Sequence, residues 1–284
     1  MNANLQQPTH IKQWLISATT QLEAAGISSG HLDAEIILSH TIRKPRTYLH
    51  SHLDDILEPR QLEIADARLQ LRLDRVPIAY IIGHKEFYGR RFKVTTSTLI
   101  PRPETEDIID IVKDLAPKNL ALFDESFRIV DVGTGSGNIG VTLKLELPEA
   151  EVALLDISPH ALKVAASNAS TLGADVQSIK SDLLQSYPFK SDIIVANLPY
   201  VDTSWERSPE TQYEPESALL AGNGGLALIL KLIDQAALSL KPQGFLVLEA
   251  DPSQHAEILR YGVKKGFRLH MAVQGYIVTL QKTA

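Results

Sequence analysis

The stretch that most constrains this chain is Ile129-Val130-Asp131-Val132-Gly133-Thr134-Gly135-Ser136-Gly137. An apolar run of strand character enters three glycines at alternate positions and leaves into an apolar, helix-compatible segment. A Cβ in such a turn blocks φ > 0 and holds a ligand off the backbone. The helix that follows offers free N–H groups at its N-terminus. Gly-x-Gly-x-Gly also occurs in ordinary tight turns, so its meaning depends on the elements around it.

Those elements alternate from residue 128 onward. Strands are expected at 129–132, 152–155, 176–179, 192–196 and 244–248, with closing strands at 267–269 and 276–280. Between them, helices are expected at 139–147, from Ser158-Pro159 onward (cap and first position), at about 226–240, and at 253–264. This order implies an α/β fold, a mostly parallel sheet with helices on both faces.

The first 75 residues have another pattern. Ile11, Trp14, Leu15, Ala18, Leu22 and Ala25 recur at helical spacing, with Thr9 as N-cap and Gly26 just past the end. A second helix is expected at about 34–42, a helical turn at 45–50, and a helix opening at Glu58-Pro59. This bundle carries no catalytic constellation. Ala79-Tyr80-Ile81-Ile82-Gly83 and residues 86–94 read as short strands broken by glycines, a hairpin linking two domains. In Pro101-Arg102-Pro103-Glu104-Thr105-Glu106 the prolines stop any strand, and the two glutamates suit the first turn of the next helix. The expected division is a helical domain at 1–75, a hairpin at 76–98 and the α/β domain at 99–284.

Composition removes several chemistries. The 284 residues include no cysteine, which excludes disulfides, thiolate nucleophiles and Cys-ligated metals. His50-Ser51-His52 has no third ligand in register, so no metal is expected. A net charge of −6 advertises no basic field for nucleic acid, and no direct nucleic-acid partner is expected. The start, Met1 to Gln7, lacks the parts of a signal peptide, and no apolar run reaches the roughly 20 residues that span a bilayer. A soluble, cytoplasmic monomer is expected.

In such sheets ligands bind beyond the carboxyl ends of the strands, and four ends here are polar: the glycine loop, Asp156, Asp182 and Asn197. Asp156 lies about 20 residues beyond the loop, where an acid meets a ribose diol in nucleoside-binding folds. A dinucleotide site prefers Gly-x-Gly-x-x-Gly, so the loop favours S-adenosylmethionine over NAD. Its expected binding set is Asp131, Gly133, Thr134, Gly135, Ser136, Gly137, Asp156, Asp182, Leu183 and Asn197. The tetrapeptide Asn197-Leu198-Pro199-Tyr200 follows the fourth strand. Methylating an amide or exocyclic amino nitrogen needs acceptors for its N–H groups. The Asn197 side-chain oxygen and the Leu198 carbonyl supply both, and Tyr200 offers a ring to pack on the planar group. Catalysis there would be mainly positioning.

Together these segments resemble the HemK/PrmC family, the peptide chain release factor glutamine methyltransferases. The resemblance is carried by Arg75-x-Pro77-x-x-Tyr80-Ile81-x-Gly83, Phe87-Tyr88-Gly89, Leu99-Ile100-Pro101-Arg102-Pro103-Glu104-Thr105-Glu106 and Asp131 to Gly137. Asp156-Ile157-Ser158, Ser181-Asp182-Leu183, Glu214-Pro215 and Ala218-Leu219 extend it over most of the chain. It implies a Rossmann-like class I methyltransferase domain with a seven-stranded sheet, and a small helical domain that docks the release factor. The substrate would be the glutamine of a Gly-Gly-Gln tripeptide, entering at Asn197 to Tyr200, which become the expected catalytic residues. There are departures. The family's Asn-Pro-Pro-Tyr has Leu198 in place of its first proline. Its Gly-x-Asp-Gly-Leu stands as Gly222-Asn223-Gly224-Gly225-Leu226, and Gln274-Gly275-Tyr276-Ile277-Val278 lacks its Asp and Arg. Asn-Leu-Pro-Tyr also suits a methyltransferase acting on an adenine amino group of RNA or DNA, which the acidic charge opposes. A binding protein without turnover is the other alternative.

Overall fold

The computed structural model describes residues 9–117, 126–270 and 275–283; Met1 to Gln7 and Gln274 lie outside them. Two compact units divide the chain: Met1–Gly83 with Ser208–Tyr213, and His84–Arg207 with Glu214–Ala284.

The first unit is helical: α1 (Ile11–Ala24), α2 (Gly30–Ile42), α3 (Arg46–Ser51), α4 (Pro59–Leu73) and α5 (Ile78–Ile82). They close over Trp14, Leu22, Ile37, Leu38, Leu49 and Leu69. Helix α1 is capped at His10 rather than Thr9. The Thr9 carbonyl is taken by the Leu57 N–H and His10 bridges to Ile56, so extended pairing delays the helix by one residue. Helix α5 corrects the expected strand at 79–83. A short apolar run does not separate helix from strand by periodicity; here Pro77 sets the entry at φ −55 and Gly83 ends the turn at φ +76. Buried Arg72 donates to Asp33 at 2.7 Å and to Glu210 at 3.2 Å. Two carboxylates thus compensate a cation that burial would otherwise penalise heavily.

The second unit opens with an antiparallel hairpin, β1 (His84–Phe87) and β2 (Arg90–Lys93). Tyr88 and Gly89 both have positive φ, +49 and +68, as a tight hairpin turn requires. The Tyr88 N–H donates to Glu106 Oε1 at 2.8 Å, so Glu106 fastens the hairpin as well as opening a helix. After a 3₁₀ turn at Pro103–Thr105 come α6 (Glu106–Leu115), β3 (Arg128–Val132), α7 (Asn138–Glu146), β4 (Glu151–Asp156) and α8 (Pro159–Leu172). Then follow β5 (Gln177–Lys180), β6 (Ser191–Ala196), α9 (Glu216–Leu219), α10 (Ala227–Ser239) and β7 (Leu240–Glu249). The last elements are α11 (His255–Lys264), β8 (Phe267–Leu269) and β9 (Ile277–Lys282).

The seven-stranded sheet has the order β5-β4-β3-β6-β7-β9-β8. Strands β3 to β7 run parallel and β9 is antiparallel to its neighbours β7 and β8. Val130, Val132, Ile194 and Leu246 fill the core on one face; Ile129, Val195 and Val247 fill it on the other. Burial on both faces explains why these strands read as continuous apolar runs rather than alternating ones.

Candidate active site

Strand order reverses between β3 and β6, and in open parallel sheets the ligand crevice lies at that point. The register makes the placement specific. Val132 pairs with Leu155 on one side and Ala196 on the other, and Ala196 pairs with Leu248. One residue further along each strand stand Asp156, Gly133, Asn197 and Glu249, a single row across the carboxyl edge of the sheet. A cavity of about 530 Å³ opens there, within the size range of pockets that enclose cofactor-sized molecules, about 300–1,000 Å³.

Gly133, Thr134, Gly135 and Ser136 form one wall. Gly133 has φ +72, and a Cβ on it would come within 2.8 Å of Leu198 Cδ2, so the two strand ends touch across the switch point. Gly137, at φ +82, lies against Ala165 of α8, 3.0 Å from where its Cβ would be, and does not reach the cavity. Asp131 does not reach it either. Its fully buried carboxylate sits beneath the loop, where Oδ2 accepts from Thr134 Oγ1 at 2.6 Å and from the Gly140 N–H at 2.9 Å. Its other oxygen has no hydrogen-bond partner among the described residues. Burial above all pushes this carboxyl up to about 6, against the two hydrogen bonds.

Asp156 lines the cavity. It accepts the Gly135 N–H at 2.9 Å and the Ser158 N–H at 2.8 Å, which orients it without exhausting it, since a carboxylate offers about four lone-pair directions. Burial raises its proton affinity. Asp182 and Leu183 border the same end; Asp182 is paired with Lys231 Nζ at 2.6 Å.

Opposite, Asn197, Leu198 and Pro199 line the wall, whereas Tyr200 does not. Tyr200 turns its hydroxyl to Glu249 Oε1 at 3.2 Å, and burial, with Glu249 beside it, pushes the phenol well up. Its carbonyl accepts from Gln254 Nε2 at 2.8 Å. Gly225, at φ +82, passes so close that a Cβ would fall 1.9 Å from that carbonyl oxygen, so only glycine fits. Asn197 Nδ2 donates to Thr105 Oγ1 at 3.1 Å, and Thr105 Oγ1 donates to Glu249 Oε2 at 2.7 Å. Buried Glu214 holds the third side, accepting the Ile100 N–H at 3.1 Å and pairing with Arg102 at 2.5 Å.

Thr105 and Glu249 had no assigned role in the sequence reading. Reading strand ends as far as the fifth parallel strand points at Glu249; Thr105 carries no comparable local signal. The site thus combines the glycine loop and the Asp156 carboxylate at one end with the Asn197 side-chain amide and Leu198 at the other.

Residues 13–83 match the family described as PrmC N-terminal domain, and residues 106–212 match the Methyltransferase small domain. The chain is 39% identical over 260 residues to a release factor glutamine methyltransferase of Koribacter versatilis, covering 88% of this chain and 90% of that one. A protein of the same name from Deinococcus radiodurans is 35% identical over 244 residues, covering 85% and 86%. Among solved structures, the T. thermophilus 16S rRNA N2 G1207 methyltransferase in complex with AdoMet and guanosine superposes with a TM-score of 0.51. At 16% identity, over 71% of this chain and 50% of that one, it shares the fold. The chain belongs to the release factor glutamine methyltransferase family.

Proposed function

We infer that this protein transfers a methyl group from S-adenosylmethionine to the side-chain amide nitrogen of a glutamine, the one in the Gly-Gly-Gln tripeptide of peptide chain release factors. One observation carries the reading: a single cavity joins the glycine loop and Asp156 to the side-chain amide of Asn197. The methyl donor fits this chain's donor set. The glycine cradle admits close backbone approach, and the Asp156 carboxylate accepts hydroxyls of a ribose. Asp182 and Leu183, on the cavity wall, would hold the donor's base, and Asp131 keeps the loop in shape from below. When bound, the donor supplies a methyl carbon made electrophilic by its sulfonium. Asn197 Oδ1 and the Leu198 carbonyl accept the two N–H groups of the glutamine amide and aim its nitrogen. Pro199 fixes the backbone at that carbonyl, since it steers Leu198 to extended geometry. Tyr200 braces the segment through Glu249.

The helical unit docks the release factor. No helix among the described residues is long and apolar enough to cross a membrane. The test is incubation with methyl-labelled donor and either release factor or ribosomal RNA. Label on the tripeptide glutamine is expected. Label in the RNA, or an unlabelled release factor, overturns the reading.

A further inference from the structure

The Asn197 amide has two unlike ends, and only its oxygen can accept a substrate N–H. Two buried neighbours adjoin this amide: Thr105, which also lines the cavity, and Glu249, which does not, each 1% exposed. Asn197 Nδ2 stands 3.1 Å from Thr105 Oγ1, which stands 2.7 Å from Glu249 Oε2. Tyr200 also donates to this carboxylate, at 3.2 Å. We propose that Glu249, acting through Thr105, is the positioning residue that turns the oxygen of the Asn197 amide toward the substrate. The inference rests on the reading above in taking Asn197 as the acceptor.

The argument is a proton count. An ionised carboxylate only accepts, so the single proton of Thr105 goes to Glu249 in a short charge-assisted bond. The Thr105 oxygen is then limited to accepting, and Asn197 must present its NH₂ there. Oδ1 is left for the cavity. A proton on Glu249 Oε2, the oxygen that faces Thr105, reverses the chain: the acid donates to Thr105, Thr105 donates to Asn197 Oδ1, and the NH₂ turns toward the substrate. Donors would then face donors, and transfer would stop.

The groups that face Glu249 set when this happens. Glu104 and Thr105 come from the 3₁₀ turn, and Asn197 and Tyr200 from the segment after β6. Arg102 and Tyr276 in turn face Tyr200. Burial raises the proton affinity of Glu249, and Glu104 adds to it; the bonds from Thr105, Tyr200 and Asn197 oppose it, and the balance is upward. The acid limb of the rate should therefore lie above the usual glutamate range.

The experiment pairs NMR of the Asn197 side-chain NH₂ in the ligand-free, full-length protein with single-turnover methylation of release factor. Wild type, Thr105→Val, Thr105→Ser and Glu249→Gln are compared from pH 8 down to pH 5. In wild type the Asn197 protons should exchange slowly and shift with the same midpoint as the acid limb of the rate. Thr105→Val, nearly isosteric, should speed their exchange and lower the single-turnover rate at saturating cofactor by about 10²-fold, the scale of a misplaced reacting group, with little change in the cofactor concentration that half-saturates it. Thr105→Ser should return most of both. Glu249→Gln should abolish the shared midpoint. A folded Thr105→Val with unchanged exchange and single-turnover rate overturns the proposal, as does a Glu249→Gln variant that keeps the wild-type pH profile. If wild type labels no release factor, the reading of the substrate fails instead, while the NMR comparison still decides the orientation of Asn197.

Discussion

Each end of the cavity is stiffened by one buried carboxylate, and the two differ in how far along the chain they reach. Asp131 bonds to Thr134 and Gly140, three and nine residues away. Glu249 bonds to Tyr200 and Thr105, 49 and 144 residues away. The glycine-loop end is thus a local structure, a strand and its turn holding themselves. The Asn197 end exists only once β6, β7 and the 3₁₀ turn have met. The first can be shared by many methyltransferases; the second depends on the whole domain being in place.

The largest expected effect falls on the distant-contact end. Asn197→Ala removes the acceptor and should slow single-turnover transfer by roughly 10²–10³, as when one preorganised polar group is lost. Calorimetry should show cofactor affinity falling much less. Near-normal transfer would reduce the tetrapeptide to a turn and erase the contrast.

Next comes the local carboxylate, through pH. Burial raises Asp131 from 3.8 to about 6, so the folded protein binds this proton more tightly than the unfolded chain. The contribution is fully present below about pH 4 and is lost as pH rises through 6. A shift of that size corresponds to about 3 kcal/mol. Urea melts from pH 4 to pH 8 should show wild type losing stability with rising pH relative to Asp131→Asn; parallel curves would mean the carboxyl stays ionised in the fold.

A smaller effect tests the ligand-facing acid of the same end. Asp156→Ala should weaken S-adenosylmethionine binding by about 1.5–3 kcal/mol, the scale of a hydrogen bond to a charged group. Unchanged affinity in a folded variant would remove Asp156 from the site. The smallest effect is expected where the two ends touch. Leu198→Pro leaves the carbonyl in place, and turnover should stay within about tenfold, near 1.4 kcal/mol. A collapse with cofactor binding intact would assign the leucine side chain, or its N–H, a role of its own.

What the sequence disclosed follows the same division. The glycine loop, Asp156 and the Ser158 cap could be read directly, because each depends on residues within a turn of itself. The parallel strands were legible because burial on both faces leaves unbroken apolar runs. Helix α5 was misread because Tyr80-Ile81-Ile82 suits either state, and the proline and glycine flanking it decide. Asn197 could be named, yet Thr105 and Glu249 could not be joined to it. No periodicity links a residue before α6 to the last residue of β7. Tyr200 reads as a ring for the substrate's planar group; in the fold its hydroxyl donates to buried Glu249 and it does not line the cavity.

The row of strand ends also works as a ruler. Neighbouring strands stand roughly 4.7–4.9 Å apart, a spacing fixed by backbone hydrogen bonds. The interval between the loop at Gly133 and the amide at Asn197 is therefore a property of the β3–β6 ladder, and no side-chain substitution can lengthen or shorten it. Inserting a single residue into β6 would send Asn197 to the opposite face of the sheet rather than shift it gradually. Reach across the gap is quantised, whereas the loops around the cavity can remodel the accepted substrate by degrees.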